Sequence, residues 1–91
     1  MEITFDPAKN ELNIAQRGLS FERVIEFDFE TALYEVDDRH DYGEVRRTAI
    51  GKLGDIAHVL VFTMRCDAIR VISLRRANKR EVKRYEKNSK S

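Results

Sequence analysis

One cysteine, one proline and no tryptophan mark this sequence by what it does without. A lone thiol, Cys66, excludes an intrachain disulfide and with it the stapled scaffold of small secreted domains. No apolar run approaches the roughly 18 to 20 residues that cross a bilayer, and no basic-then-apolar opening resembles a signal peptide. The expectation is therefore a cytoplasmic protein without membrane attachment. Internal repeats and Pro-rich or Gly-rich linkers are also missing, so residues 1–91 read as one domain, with 88–91 a short polar tail. Five Phe and three Tyr within a hydrophobic content of 42% suffice for a modest core. A domain this small buries only roughly 60 to 65% of its unfolded surface, so a bound partner would add to a marginal stability.

Charge is present in quantity and is unevenly placed. Residues 1–64 carry 7 Lys and Arg against 13 Asp and Glu, a net of −6, whereas residues 65–91 carry 10 against 3, a net of +7. Such a division gives the molecule a basic region able to attract a polyanion and an acidic remainder that repels it elsewhere. RNA, DNA and an acidic protein all fit that description.

Ile3-Thr4-Phe5 is a short strand, followed by Asp6-Pro7, a helix cap with proline in the first turn. Ala8, Leu12 and Ala15 recur at helical spacing and predict an apolar stripe on a helix that ends near Gly18. Ser20 caps a second predicted helix, in which Phe21, Val24 and Ile25 share a face. Strands follow at Leu33 to Val36, Arg46 to Ile50, Ile56 to Thr63 and Ile69 to Leu74, with His40-Asp41-Tyr42-Gly43 and Lys52-Leu53-Gly54-Asp55 as hairpin connections. The nearly continuous apolar run from Ile56 to Phe62 has the pattern of a central strand covered on both faces. The last segment, Asn78 to Lys87, is helical and meets the core through Val82 and Tyr85 alone.

Three local motifs, in order, span nearly the whole chain. Asp6-Pro7-x-Lys9 with Asn13 and Gly18-x-Ser20-Phe21 resembles the opening of the BrnT family. Asp38-x-His40-x-Tyr42-Gly43-Glu44-x-Arg46 with Ile50-Gly51 is similar to its middle signature, and Ile69 to Ala77 with Arg80-Glu81 and Tyr85 to its C-terminal one. Three positions depart: Phe5 stands where the family commonly has Trp, and Gln16-Arg17 where it has Lys-His, so no role is carried onto residues 16 and 17. The resemblance implies an α+β, RelE-like fold, an antiparallel sheet with two N-terminal helices and a C-terminal helix. It also implies a metal-independent, cofactor-free endoribonuclease toxin of a type II toxin-antitoxin pair. Its implied partner is a BrnA-type ribbon-helix-helix antitoxin, through which the complex binds operator DNA.

Cutting RNA without metal requires a 2′-hydroxyl to attack the adjacent phosphorus. A base takes its proton, an acid protonates the leaving 5′-oxygen, and cations stabilise the crowded phosphorane. Arginine suits the last task because its planar fork grips two phosphate oxygens and stays charged. Arg70 and Arg75 are the first candidates, Arg46 the next. Strict alternation puts Arg70 and Arg75 on opposite faces of an ideal strand, so both can serve only if that strand twists or bulges. His40 and Glu44 are the acid-base candidates. Arg76, Lys79, Arg80, Lys83, Arg84 and Tyr85 are the candidates for RNA contact.

Each candidate also has a plain structural reading. A strand-edge arginine is often solvated or ion-paired, Tyr85 can be a packing anchor beside Val82, Glu44 can be a salt bridge, and His40 can bond its loop neighbours. His58 inside the apolar strand reads as a core histidine. Asp37-Asp38-Arg39-His40-Asp41 matches no metal-ligand spacing, and Cys66 has no catalytic surroundings. The alternative to a nuclease is a catalytically silent module of the same fold acting as corepressor with its antitoxin. The nuclease reading needs the arginines of the last strand and helix to form one cationic surface, not each to be locked into a carboxylate of the same chain.

Overall fold

A computed structural model describes residues 2–38, 41 and 43–89. The chain forms β1 (Glu2–Phe5), α1 (Pro7–Arg17), a 3₁₀ helix (Phe21–Glu26), β2 (Leu33–Asp37), β3 (Arg46–Leu53), β4 (Ile56–Arg65), β5 (Ala68–Arg76) and α2 (Lys79–Ser89). The five strands make one sheet in the order β1-β5-β4-β3-β2. Strands β2 to β5 run as an antiparallel meander, and β1 joins the edge of β5 in parallel.

The predicted start of α1 is observed: the Asp6 carboxylate accepts from the Ala8 amide at 2.9 Å, Pro7 fills the first turn, and Gly18 ends the helix at φ 69°. Its buried face is not the predicted one. Ala8, Leu12 and Ala15 are exposed, and the residues turned inward are Asn10 and Asn13. The reason is the chain's sharp return beneath the helix, which leaves backbone groups in need of partners. Asn13 Nδ2 donates to the carbonyls of Leu19 at 2.8 Å and Leu74 at 3.0 Å, and Asn10 Oδ1 accepts from the Phe21 amide at 2.8 Å. Buried carbonyls without partners cost more than an alanine stripe gains, so hydrogen bonding decides the face.

The second predicted α-helix is instead a 3₁₀ helix. With three residues per turn the inward positions are i, i+3 and i+6, and Phe21, Val24 and Phe27 are all buried. Ile25, assigned to that face by α-helical spacing, is turned outward at 77% exposure.

The 3₁₀ residues close over one face of the sheet, packing with Leu60, Phe62, Val71 and Leu74 into the main core. Gly51 permits the approach, since a Cβ there would lie 2.7 Å from the Phe27 ring. The opposite face is covered only in part. Helix α2 lays Tyr85 on Ile50 and Val59, and the Tyr85 hydroxyl shares a 3.3 Å hydrogen bond with Thr31.

Candidate functional site

The partly covered face gains its polar character from an irregularity in β5. Val61 pairs with Ser73 and Phe62 with Val71, which leaves Ile72 as one extra residue in the strand. A β-bulge resets alternation. Ile69 and Val71 before it and Leu74 after it therefore all enter the main core, while Arg70 and Arg75 share the other face. This is the condition under which both arginines can act together.

The strand register extends that arrangement across the sheet. Arg70 pairs with Thr63 of β4 and with Thr4 of β1. One step beyond the Arg47–Phe62 pair, Thr63 stands opposite Arg46, which in turn pairs with Asp37 of the edge strand β2. Thr4, Arg70, Thr63, Arg46 and Asp37 thus form one polar rank. Thr63 is buried, its hydroxyl donating to the Val45 carbonyl at 2.7 Å, which ties the β3 entry to β4.

Between this rank and α2 lies a cleft of about 460 Å³, floored by Thr48, Val59, Val61 and Ser73. Arg46, Arg75 and Arg84 reach it as cations, and Glu35, Asp37, Asp38 and Glu81 as carboxylates. None of the three stands alone: Arg46 lies 3.9 Å from Glu44, and Arg75 and Arg84 hold carboxylates of the cleft. Arg75 Nη1 and Nη2 grip the two oxygens of Glu81, both at 2.8 Å. Glu81 in turn accepts from the Asn78 amide at 2.8 Å, and the Asn78 side chain accepts from the Glu81 amide at 2.9 Å, a reciprocal cap that starts α2. The hydrogen bond from Arg75 holds the Glu81 carboxyl below its ordinary value, against the opposing effect of burial. Arg84 binds Glu35 at 3.0 Å.

The other candidates fall into three groups. Arg70, Lys79, Arg80 and Lys83 make no ion pair with any described residue, and the last three are exposed along α2. Arg76 shares that freedom, yet it pairs with His58 on the main-core side of the sheet, so it does not join the cleft. Glu44 binds Arg65 at 3.2 Å and lies 3.9 Å from the Arg46 Nε, and it does not line the cleft. Tyr85, at 6% exposure, is the packing anchor of α2; its ring is covered by Ile50 and Val59 and is not available to stack on a base. His40 lies outside the described residues.

His58 is a core histidine, with Nδ1 2.8 Å from the Ile56 carbonyl. Among the described residues no three His, Cys, Asp or Glu side chains converge, and no helix is long and apolar enough to cross a membrane. In the sequence Asp37 is one of several acids near His40 and Glu44; the register of β2 on β3 sets it opposite Arg46.

The cationic surface is therefore divided: Arg70 and Arg46, the latter beside Glu44, stand along the rank, exposed lysines and Arg80 along α2, and Arg75 and Arg84 in ion pairs between them. A family model described as the ribonuclease toxin, BrnT, of type II toxin-antitoxin systems matches residues 5–81. No curated protein matches the chain. The crystal structure of the Brucella abortus ribonuclease toxin BrnT is similar, with 33% sequence identity and a TM-score of 0.67, over 87% of this chain and 99% of that one. A match over most of the sequence and the same fold at that identity place the chain in the BrnT family of ribonuclease toxins of type II toxin-antitoxin systems.

Proposed function

We propose that this chain is an endoribonuclease that needs no metal, acting in the cytoplasm until an antitoxin of the BrnA ribbon-helix-helix type covers it. RNA lies along the polar rank, with Arg46 and Arg70 on the reacting phosphate and Arg75 at the far side of the cleft. Lys79, Arg80 and Lys83 follow the backbone. The observation that carries this reading is the bulge at Ile72, because it turns Arg70 toward the face that holds Arg46 and Arg75. Guanidinium groups suit this task because their planar fork grips two phosphate oxygens and stays charged. Antitoxin docking over this face would block RNA and add to fold stability at once, and the complex would bind operator DNA through the antitoxin.

The test is cleavage of RNA by the purified protein in EDTA. Wild type is expected to cut, and Arg70→Ala and Arg46→Ala to lose about 10²-fold or more in rate, Arg70→Ala with unchanged thermal unfolding. Undiminished cleavage by both variants rejects this site. A second reading, the silent corepressor, is favoured by the ion pairs of Arg75 and Arg84, which occupy two cations the chemistry could use. It predicts intact RNA under the same conditions, together with operator binding by the antitoxin complex.

A further inference from the structure

Strand β2 ends the sheet: among the described residues no strand pairs with the edge it turns away from β3. An unpaired edge is a template for an added strand, and proteins close such edges with proline, lysine, a bulge or a covering element. Leu33–Asp37 contains no proline, lysine or glycine, and its register on β3 runs without a shift.

Alternation divides the strand between the two faces of the sheet. Tyr34 stands opposite Ala49, and Val36 opposite Arg47 and, one strand further, Phe62, so both belong to the side of the main core. The 3₁₀ helix leaves this corner uncovered. Tyr34 is 45% exposed, Val36 and Val45 57% each, and Met64 48%. Continuing the register past Arg47 and Phe62 sets Val45 against Met64, and the Thr63 hydroxyl holds the Val45 carbonyl there. The four side chains thus make an apolar corner beside the free edge, the kind of exposed patch that marks an interaction site. Its surroundings are acidic. Residues 26–45, which carry β2, hold eight Asp and Glu against one Arg.

We propose that this edge binds a partner protein by strand addition, and that the segment it takes alternates apolar and basic residues. The backbone of the added strand pairs with the open edge of β2 and supplies affinity, while its alternate side chains supply selection. Its apolar residues lie on Tyr34 and Val36, and its basic residues turn toward Glu35, with Glu30 and Asp38 near the two ends of the strand. Arg84 already pairs with Glu35, an exposed contact that a cation of the partner would share or displace. A second copy of this chain is a poorer occupant. Antiparallel pairing of β2 with its own copy brings Glu35 and Asp37 beside carboxylates of the same kind, and like charges opposed across a strand pair destabilise it. The proposal is independent of the ribonuclease reading, since the apolar corner lies on the other side of the sheet from Arg46 and Arg70.

The test uses the whole chain and a short dye-labelled peptide of alternating Val and Lys, read by fluorescence anisotropy and by hydrogen exchange of the backbone amides. Two peptides serve as comparisons, one alternating Val and Glu, the other with the same Val and Lys content arranged in two blocks. The alternating basic peptide is expected to bind about tenfold or more tightly than either, and to slow exchange within residues 33–37. Val36→Lys and Glu35→Lys, both at exposed positions, should each weaken it by about the same factor, with circular dichroism unchanged. Should either variant lose its fold, the exchange pattern of wild type decides. No binding, equal binding of either comparison peptide, or protection only outside residues 33–37 overturns the proposal. Unchanged binding by both folded variants does the same. Dimerisation of the chain alone that Val36→Lys abolishes gives the edge to a second copy and overturns the choice of partner.

Discussion

On one face of the sheet, Phe21, Val24 and Phe27 close over Leu60, Val71 and Leu74, nearly sealed from water. On the other, α2 reaches the strands through Tyr85, and the remainder is a cleft lined with charges of both signs. The closed face carries most of the stability, because each large side chain buried there is worth roughly 1.5 to 3 kcal/mol. The half-open face holds polar groups that a continuous core would exclude. A sheet of five strands in a small domain can thus devote one surface to folding and leave the other half open. The bulge at Ile72 lets a single strand, β5, face both ways, sending Ile69, Val71 and Leu74 to one side and Arg70 and Arg75 to the other.

The largest test of this division is Phe21→Ala, expected to cost about 3 to 5 kcal/mol in denaturant unfolding; Arg70→Ala, on the half-open face, should leave the unfolding midpoint where it is. A substantial loss of stability in Arg70→Ala would erase the distinction between the faces. Next is Asn13→Leu, which supplies the apolar residue that periodicity would favour inside but leaves the carbonyls of Leu19 and Leu74 without their donor. It should destabilise by about 1 to 3 kcal/mol, and a stabilised variant would show that packing, not hydrogen bonding, sets the face of α1.

A smaller effect is expected at the hinge between the faces. Glu81 has its carboxyl held below the ordinary 4.5 by Arg75, so its contribution to stability is fully present above that value and is lost as pH falls through the lowered one. Unfolding measured as pH is lowered from neutrality should show a decline of about 1 kcal/mol from this pair, given partial solvent screening of Arg75. Glu81→Gln should remove that part of the decline. Smallest of all, Leu12→Ser should change stability by no more than about 0.5 kcal/mol, since the side chain is 55% exposed.

Much of this architecture was legible in the residues. The four strands of the meander, the Asp6-Pro7 helix start and the basic final helix all follow from alternation, capping chemistry and charge. Strand β4 was recognisable as central from its apolar run, and it lies between β3 and β5. What misled was the assumption of a single helical period. Ala8, Leu12 and Ala15 form a stripe that faces solvent, and Ile25 obeys a 3.6-residue turn in a segment that winds with three. The site was legible in its residue types but not in its pairing: Arg75 and Arg84 were counted as cations for RNA, and both hold carboxylates.

The sequence by itself determined the order of elements, the family and the concentration of positive charge after residue 64, because these depend on local propensity and composition. Tertiary structure alone decided which side of α1 is inside, which arginines share a face and which acid stands beside Arg46. Those outcomes depend on register and on the partners of backbone groups distant in the chain. A one-residue insertion in β5 is enough to reverse every side chain beyond it.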